Sequence, residues 1–159
     1  MFLFEVTDAL EAAKIRYAIV GGYALAFHGI VRATMDIDLI LSLNLQQFEK
    51  AEKALLSINL KSRLPIRAQD VIKMRKEYIE NRNLTSWSFV NYQDPTRQVD
   101  ILITDDVTNM TVQKITIKQR KIAVVSLEDL LQMKVKAGRP QDLIDINNIK
   151  KMLHEKKTE

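Results

Sequence analysis

The chain has 159 residues, 47% of them hydrophobic, enough to fill the core of one domain spanning 1–159. Lys and Arg outnumber Asp and Glu by 24 to 20; the resulting +4 mildly favours anionic partners such as nucleotides or RNA without requiring them. The absence of cysteine excludes disulfides, thiolate metal sites and thiol nucleophiles. Met1-Phe2-Leu3-Phe4 runs directly into Glu5 and Asp8, so there is neither a secretory apolar core nor a membrane-length run, and a cytoplasmic protein is expected.

Leu3, Val6, Leu10 and Ala13 recur at helical spacing, predicting a helix over about 4–14, and residues 16–20 read as a short buried strand. Gly21-Gly22 ends that strand, and Ala24, Leu25, Ala26 and Phe27 suit a brief helix that stops at Gly29. Residues 35–43 form a central strand, with Ile37, Leu39, Leu41 and Leu43 on one face and Asp36, Asp38, Ile40 and Ser42 on the other. Asn44 and Gln47 resemble a capping box before a helix over 45–58. A charged helix over 69–81 should bury Val71, Met74, Tyr78 and Ile79, with Lys73, Arg75 and Lys76 on a solvated face and Trp87 in the core beyond it.

Residues 85–92 and 98–104 read as strands joined through a turn at Asp94-Pro95-Thr96. Further short strands fall within 111–125. A C-terminal helical segment covers about 126–155: Ser126 caps a helix ending at Gly138, and Pro140 opens a last helix with Leu143, Ile146, Ile149 and Leu153 on one side. The fold class is α/β (α+β), a mixed β-sheet flanked by helices.

The chemistry concentrates around residues 20–38 and 100. Asp36 and Asp38, two apart on a strand, share a face with Cα atoms about 6.6 Å apart, so both can reach one hard divalent cation such as Mg²⁺. Asp100 interrupts Val99, Ile101, Leu102 and Ile103; an ionised carboxylate there is costly without a partner, and a cation shared with Asp36 and Asp38 would be one. A pairing with Arg97 or Arg32 is the structural alternative. Gly21-Gly22 at a helix start allows close backbone approach to phosphate oxygens. Three carboxylates permit two ions about 3.5–4 Å apart, the arrangement used for in-line phosphoryl or nucleotidyl transfer.

Val20-Gly21-Gly22-Tyr23-Ala24, His28-Gly29, Arg32-x-Thr34-x-Asp36-Ile37-Asp38 and the isolated Asp100 resemble the core of the polymerase-β-type nucleotidyltransferase superfamily. Residues 127–134, Ala137-Gly138-Arg139, Asp142-Leu143 and Asp145-Ile146 are similar to a motif of its AbiEii-like bacterial branch. The resemblance spans most of the chain. It implies the minimal nucleotidyltransferase fold, Asp36 and Asp38 on Mg²⁺, Asp100 completing the site, and transfer of a nucleoside monophosphate from a nucleoside triphosphate (NTP) with release of pyrophosphate.

Nucleotide-binding candidates are Gly21, Gly22, Arg32, Thr34, Lys134, Arg139 and Asp142. Lys134 and Arg139 suit phosphate or the base and ribose, or simply complement a helix dipole; Asp142 and Asp145 could orient them or stand as solvated charges. Arg32 and Thr34 steady the glycine loop or pack beside it, and His28 reads as locally structural. Many members place serine after the first loop glycine, whereas Gly22 stands here, followed by Tyr23.

Three functions compete. The first is transfer to an RNA or tRNA end or a protein hydroxyl, in a toxin–antitoxin or defence setting with a cognate partner. The second is modification of a small hydroxylated antibiotic, its pocket completed by a second subunit in a homo-oligomer. The third, motivated by the missing serine, is nucleotide or partner binding without turnover.

Overall fold

A computed structural model describes residues 1–158. In chain order the elements are α1 (Phe2–Ala12), β1 (Tyr17–Val20), α2 (Gly21–Phe27), β2 (Ile37–Leu41), α3 (Leu45–Ser57) and β3 (Lys61–Ser62). There follow α4 (Ala68–Arg82), β4 (Ser86–Asn91), β5 (Asp94–Leu102), a 3₁₀ turn (Val107–Asn109), β6 (Val112–Ile117), β7 (Arg120–Val125), α5 (Leu127–Ala137) and α6 (Asp142–Lys157). Among the described residues the seven strands form one sheet in the order β3-β4-β5-β2-β1-β7-β6. It is the mixed sheet that the residue pattern predicts. β1 runs antiparallel to β2 and parallel to β7, while β2 runs parallel to β5.

The centre of the sheet is buried on both sides because its residues are apolar on both. Tyr17, Ala18, Ile19 and Val20 of β1 are all buried, as are Leu39, Ile40 and Leu41 on successive positions of β2. Strands in that situation lose the alternation that marks a half-exposed sheet. Beside α3, Trp87 is buried, stacked on Phe48 at 5.9 Å and edge-on to Phe89 at 4.6 Å, and its indole N–H donates to Ser62 Oγ at 3.0 Å. The tryptophan is thus a core residue with its polar atom satisfied.

Two caps predicted from the residues form. Asn44 Oδ1 accepts from the Gln47 amide at 2.9 Å, although the Gln47 side chain reaches the Arg16 amide at 2.7 Å instead of closing a box. Ser126 Oγ accepts from the Asp129 amide at 3.2 Å at the start of α5. Because that hydroxyl is buried, Ser126→Ala should destabilise the chain by about 1 kcal/mol. Urea unfolding reads this directly; an unchanged midpoint would mean that another group takes over the Asp129 amide.

Several local expectations give way. Asp94-Pro95-Thr96 is not the hairpin turn: Tyr92 and Gln93 make it, and Asp94 already pairs with Asn91. The ladder then resumes at Val90 with Gln98, so Pro95 sits in an irregularity where its missing N–H costs no ladder bond. Asn91 Oδ1 accepts from the amides of Gln93 and Asp94, which supplies the turn chemistry assigned to the wrong residues. Met74 of α4 is exposed rather than in the buried stripe, which runs through Ala68 and Val71 with Ile72, Tyr78 and Ile79 partly buried. In α6, Leu143 is 60% exposed and the inward positions near its start are Asp142 and Asp145. The two-residue strand β3 went unpredicted, being too short to show a pattern.

Candidate active site

Strand polarity gathers the acidic residues at one end of the sheet. β1 ends at Val20, whose register partner on the antiparallel β2 is Asp38; on the parallel neighbour β5 the partner of Asp38 is Asp100. Asp36 stands one residue before β2, on the same side as Asp38 by strand alternation. The sequence separation of 62 positions between Asp38 and Asp100 is closed by a parallel crossover, so the two carboxylates face each other across adjacent strands.

Their electrostatics follow from that crowding. Burial above all, then the charges of Asp100 and Asp36, push the Asp38 carboxyl up to about 7, against the pull of Lys134. Burial and the Asp100 charge likewise raise Asp36, and Arg63 acts the other way. The arginines that might have neutralised Asp100 are elsewhere. Arg97 pairs with Glu5 at 2.5 Å and Asp94 at 3.4 Å, and Arg32 pairs with Asp145. Asp100 Oδ1 instead accepts from Ser88 Oγ at 2.6 Å and Gln98 Nε2 at 3.0 Å. Neither residue stood out in the sequence. Gln98 carried the same two-residue strand spacing to Asp100 that links Asp36 to Asp38, whereas Ser88 is the register partner of Asp100 on β4 and is visible only once the strands are paired.

An oxygen-only donor set with more negative charge than adjacent cations suits a hard divalent ion. As the side chains stand, no group of three acidic or histidine residues among the described residues is arranged to clasp a metal. In donor chemistry Asp38 and Asp100, with Asp36 beside them, suit a hard divalent cation such as Mg²⁺.

Gly21 lies close against Asp38 at this end of the sheet. Its φ of +68° is in the left-handed region, and a Cβ there would lie 2.2 Å from Asp38 Oδ2. A Cβ on Gly22 would fall 2.7 Å from Thr34 Oγ1, so the Thr34 side chain fills the space that a residue with a side chain would need. The Thr34 hydroxyl also donates to the Asp36 carbonyl at 3.3 Å, tying the glycine turn to the segment entering β2. His28 is turned away from the carboxylates: its Nε2–H donates to the Val125 carbonyl at 2.8 Å, joining the end of α2 to β7.

The C-terminal helices bring cations to the same place. Lys134 on α5 lies 3.3 Å from Asp142 Oδ1 and 3.0 Å from Asp145 Oδ2, and its charge is felt at Asp38. Arg139 grips Asp142 with two parallel bonds of 2.9 and 3.1 Å, and its backbone N–H donates to Asp142 Oδ2 at 3.2 Å. Asp142 is 1% exposed; burial alone would raise its pKa, but the bonds from Arg139 and Lys134 outweigh that and hold it below the usual carboxylate range. Hydrogen bonding to Asp142 in turn raises Arg139, which also feels Asp38. Asp142 and Asp145 are therefore buried anchors for Lys134, Arg139 and Arg32, not solvated charges.

Asp36, Asp38 and Asp100 are each partly exposed. Two hollows, of about 420 and 220 Å³, lie away from them: one between α3 and α4 around Glu52 and Arg67, the other around Asp105, Asp129 and Lys136. No helix among the described residues is long and apolar enough to cross a membrane.

A mixed sheet with this strand order, flanked by helices, has the architecture of minimal nucleotidyltransferases. The chain is similar in fold to the lincosamide antibiotic adenylyltransferase LnuA in its lincomycin-bound form, with TM-score 0.63 and 19% identity over 95% of this chain and 96% of that one. It is similar also to a nucleotidyltransferase candidate of Thermotoga maritima (TM-score 0.60, 17% identity, 96% of this chain and 91% of that one). A third likeness is to the antibiotic-resistance factor ANT(2'')-Ia (TM-score 0.63, 11% identity, 93% and 80%). Among curated proteins none matches the chain in sequence. A family model described as nucleotidyl transferase AbiEii toxin, type IV toxin–antitoxin system, matches residues 2–158, and the chain belongs to that family of nucleotidyltransferases.

Proposed function

We propose that this chain, acting as one domain over 1–159 in the cytoplasm, is an Mg²⁺-dependent enzyme. It moves a nucleoside monophosphate from an NTP to a hydroxyl of a macromolecule, an RNA or tRNA end or a protein, in a toxin–antitoxin or defence setting. The observation that carries the reading is the register pairing of Asp38 with Asp100 under Gly21, with Asp36 alongside. Bound there, one or two Mg²⁺ ions would lower the charge on the α-phosphate and the leaving oxygen.

The protein's own groups do the rest. Asp36, Asp38 and Asp100 would hold the ions, and Asp100 receives the proton of the acceptor hydroxyl as its oxygen bonds to the α-phosphorus and pyrophosphate leaves. The amides of Gly21 and Gly22 approach the outer phosphates without side-chain interference. Lys134 and Arg139, prevented from collapsing onto the carboxylates by Asp142 and Asp145, present positive charge to the phosphates. Arg32 and Thr34 hold the segment between glycine turn and metal strand.

The family description, a toxin of a type IV toxin–antitoxin system, supports the macromolecular acceptor. A small hydroxylated antibiotic is the second reading, supported by the fold likeness to LnuA and ANT(2'')-Ia; a second subunit would then have to close the pocket. A cognate antitoxin is the partner that the family description suggests. The test is incubation of wild type and Asp36→Ala/Asp38→Ala with each α-labelled triphosphate, Mg²⁺, total RNA and cell lysate. Label is expected only with wild type, migrating with RNA or protein. Label on small molecules alone favours the antibiotic reading, and no label from folded wild type leaves binding without turnover.

A further inference from the structure

The hydrogen bonds to Asp100 are one-sided. Ser88 Oγ and Gln98 Nε2 both donate to Oδ1, at 2.6 and 3.0 Å, and neither bonds Oδ2. Two strands supply them, Ser88 directly across the antiparallel β4–β5 pair and Gln98 two residues before Asp100 on its own strand face. The orientation of the Gln98 amide is settled by its other neighbour. Arg63 Nη2 donates to Gln98 Oε1 at 2.6 Å, and a guanidinium has only donors, so the amide NH₂ must face the carboxylate. The Arg63 backbone N–H donates to the Ser88 carbonyl at 2.9 Å, so the same residue braces both donors.

A carboxylate oxygen that already accepts two hydrogen bonds has its lone pairs engaged, whereas the opposite oxygen keeps its own. Supporting bonds of this kind fix a ligand's orientation, and their loss typically costs about 10–100-fold in metal affinity or activity. From this clamp we infer that Ser88 and Gln98, the latter held by Arg63, are positioning residues that lock Oδ1 of Asp100 and reserve Oδ2 for the divalent cation and the acceptor proton. The inference rests on the metal-dependent reading given above for Asp100.

Mn²⁺ binding to the chain without nucleotide, followed by electron paramagnetic resonance, tests it independently of turnover. Ser88→Ala and Gln98→Met should each weaken Mn²⁺ binding about tenfold and lower kcat by a similar factor. The KM for the triphosphate should stay within about twofold, because phosphate is held elsewhere, and Ser88→Thr should restore binding by returning the hydroxyl. Gln98 is only partly buried, so Gln98→Met keeps the test available if Ser88→Ala fails to fold. Wild-type Mn²⁺ affinity in folded Ser88→Ala and Gln98→Met, with Asp100→Asn unable to bind, overturns the clamp and leaves the metal site standing. Full Mn²⁺ binding by Asp100→Asn removes Asp100 as a ligand and the clamp with it, whereas no Mn²⁺ binding by folded wild type removes the metal reading itself.

Discussion

Asp38→Asn should abolish nucleotidyl transfer, lowering the rate at least about a thousandfold, or about 4 kcal/mol of barrier, while leaving the metal-free chain more stable at pH 8 than wild type. The two effects have one cause. Asp38 is forced against Asp100 and Asp36 in a partly buried place, and its carboxyl is pushed up to about 7 from an ordinary 3.8. Between those values the unfolded chain releases a proton that the folded chain still holds. Stability without metal therefore falls as pH rises from about 4 to 7, by on the order of a few kcal/mol. Asparagine keeps the shape and removes the charge, so the unfolding midpoint should rise at pH 8 and its decline with pH should flatten. Added Mg²⁺ should stabilise wild type more at pH 8 than at pH 5, and Asp38→Asn far less at either. Urea unfolding at the two pH values, with and without Mg²⁺, together with the transfer assay, checks all of this. A variant that is inactive but also less stable at pH 8 would indicate that Asp38 is a structural partner instead of a held-back charge.

Gly21→Ala should cost transfer at least about a hundredfold although it removes no functional group. Two penalties coincide. An L-residue at φ +68° is strained by about 1–2 kcal/mol, and the new methyl would stand 2.2 Å from Asp38 Oδ2 and 2.9 Å from Asp38 Cβ. Strain alone would lower stability and leave chemistry intact; the collision must displace Asp38 from its place beside Asp100. Circular dichroism should show a folded chain with a lowered midpoint, and Mn²⁺ binding should be weakened together with transfer. Activity near wild type would mean that Asp38 can move without consequence. The close approach that the glycine pair suggested for phosphate is thus required first by the protein's own carboxylate.

How far local pattern reaches is clear from particular residues. The caps at Asn44 and Ser126 could be read because the donor lies three residues on in the same chain segment. Strand spacing was enough to put Asp36 and Asp38 on one side. The turn at 92–93 was missed because Asp94-Pro95-Thr96 has stronger turn chemistry, yet the ladder needed Asp94 for Asn91 and tolerated Pro95 only in an irregular stretch. Apolar periodicity places Leu143 inside, but the groups that α6 must bury at its start are Asp142 and Asp145, because Lys134, Arg139 and Arg32 wait there from other elements. Periodicity measures hydrophobicity along one segment and is blind to a cation supplied by another.

By itself the sequence determined the class of fold, the position of the glycine turn, the placement of Asp36 beside Asp38 and, through its resemblance, the family. Those depend on short-range spacing and on residue types whose chemistry travels with them. Tertiary structure alone decided that Asp38 faces Asp100, that Ser88 and Gln98 grip one oxygen of it, that Gly21 makes room for Asp38, and that Asp142 and Asp145 hold the C-terminal cations. Each of these is a contact between elements far apart in the chain, set by strand order and register, and neither strand order nor register is a property of any single segment.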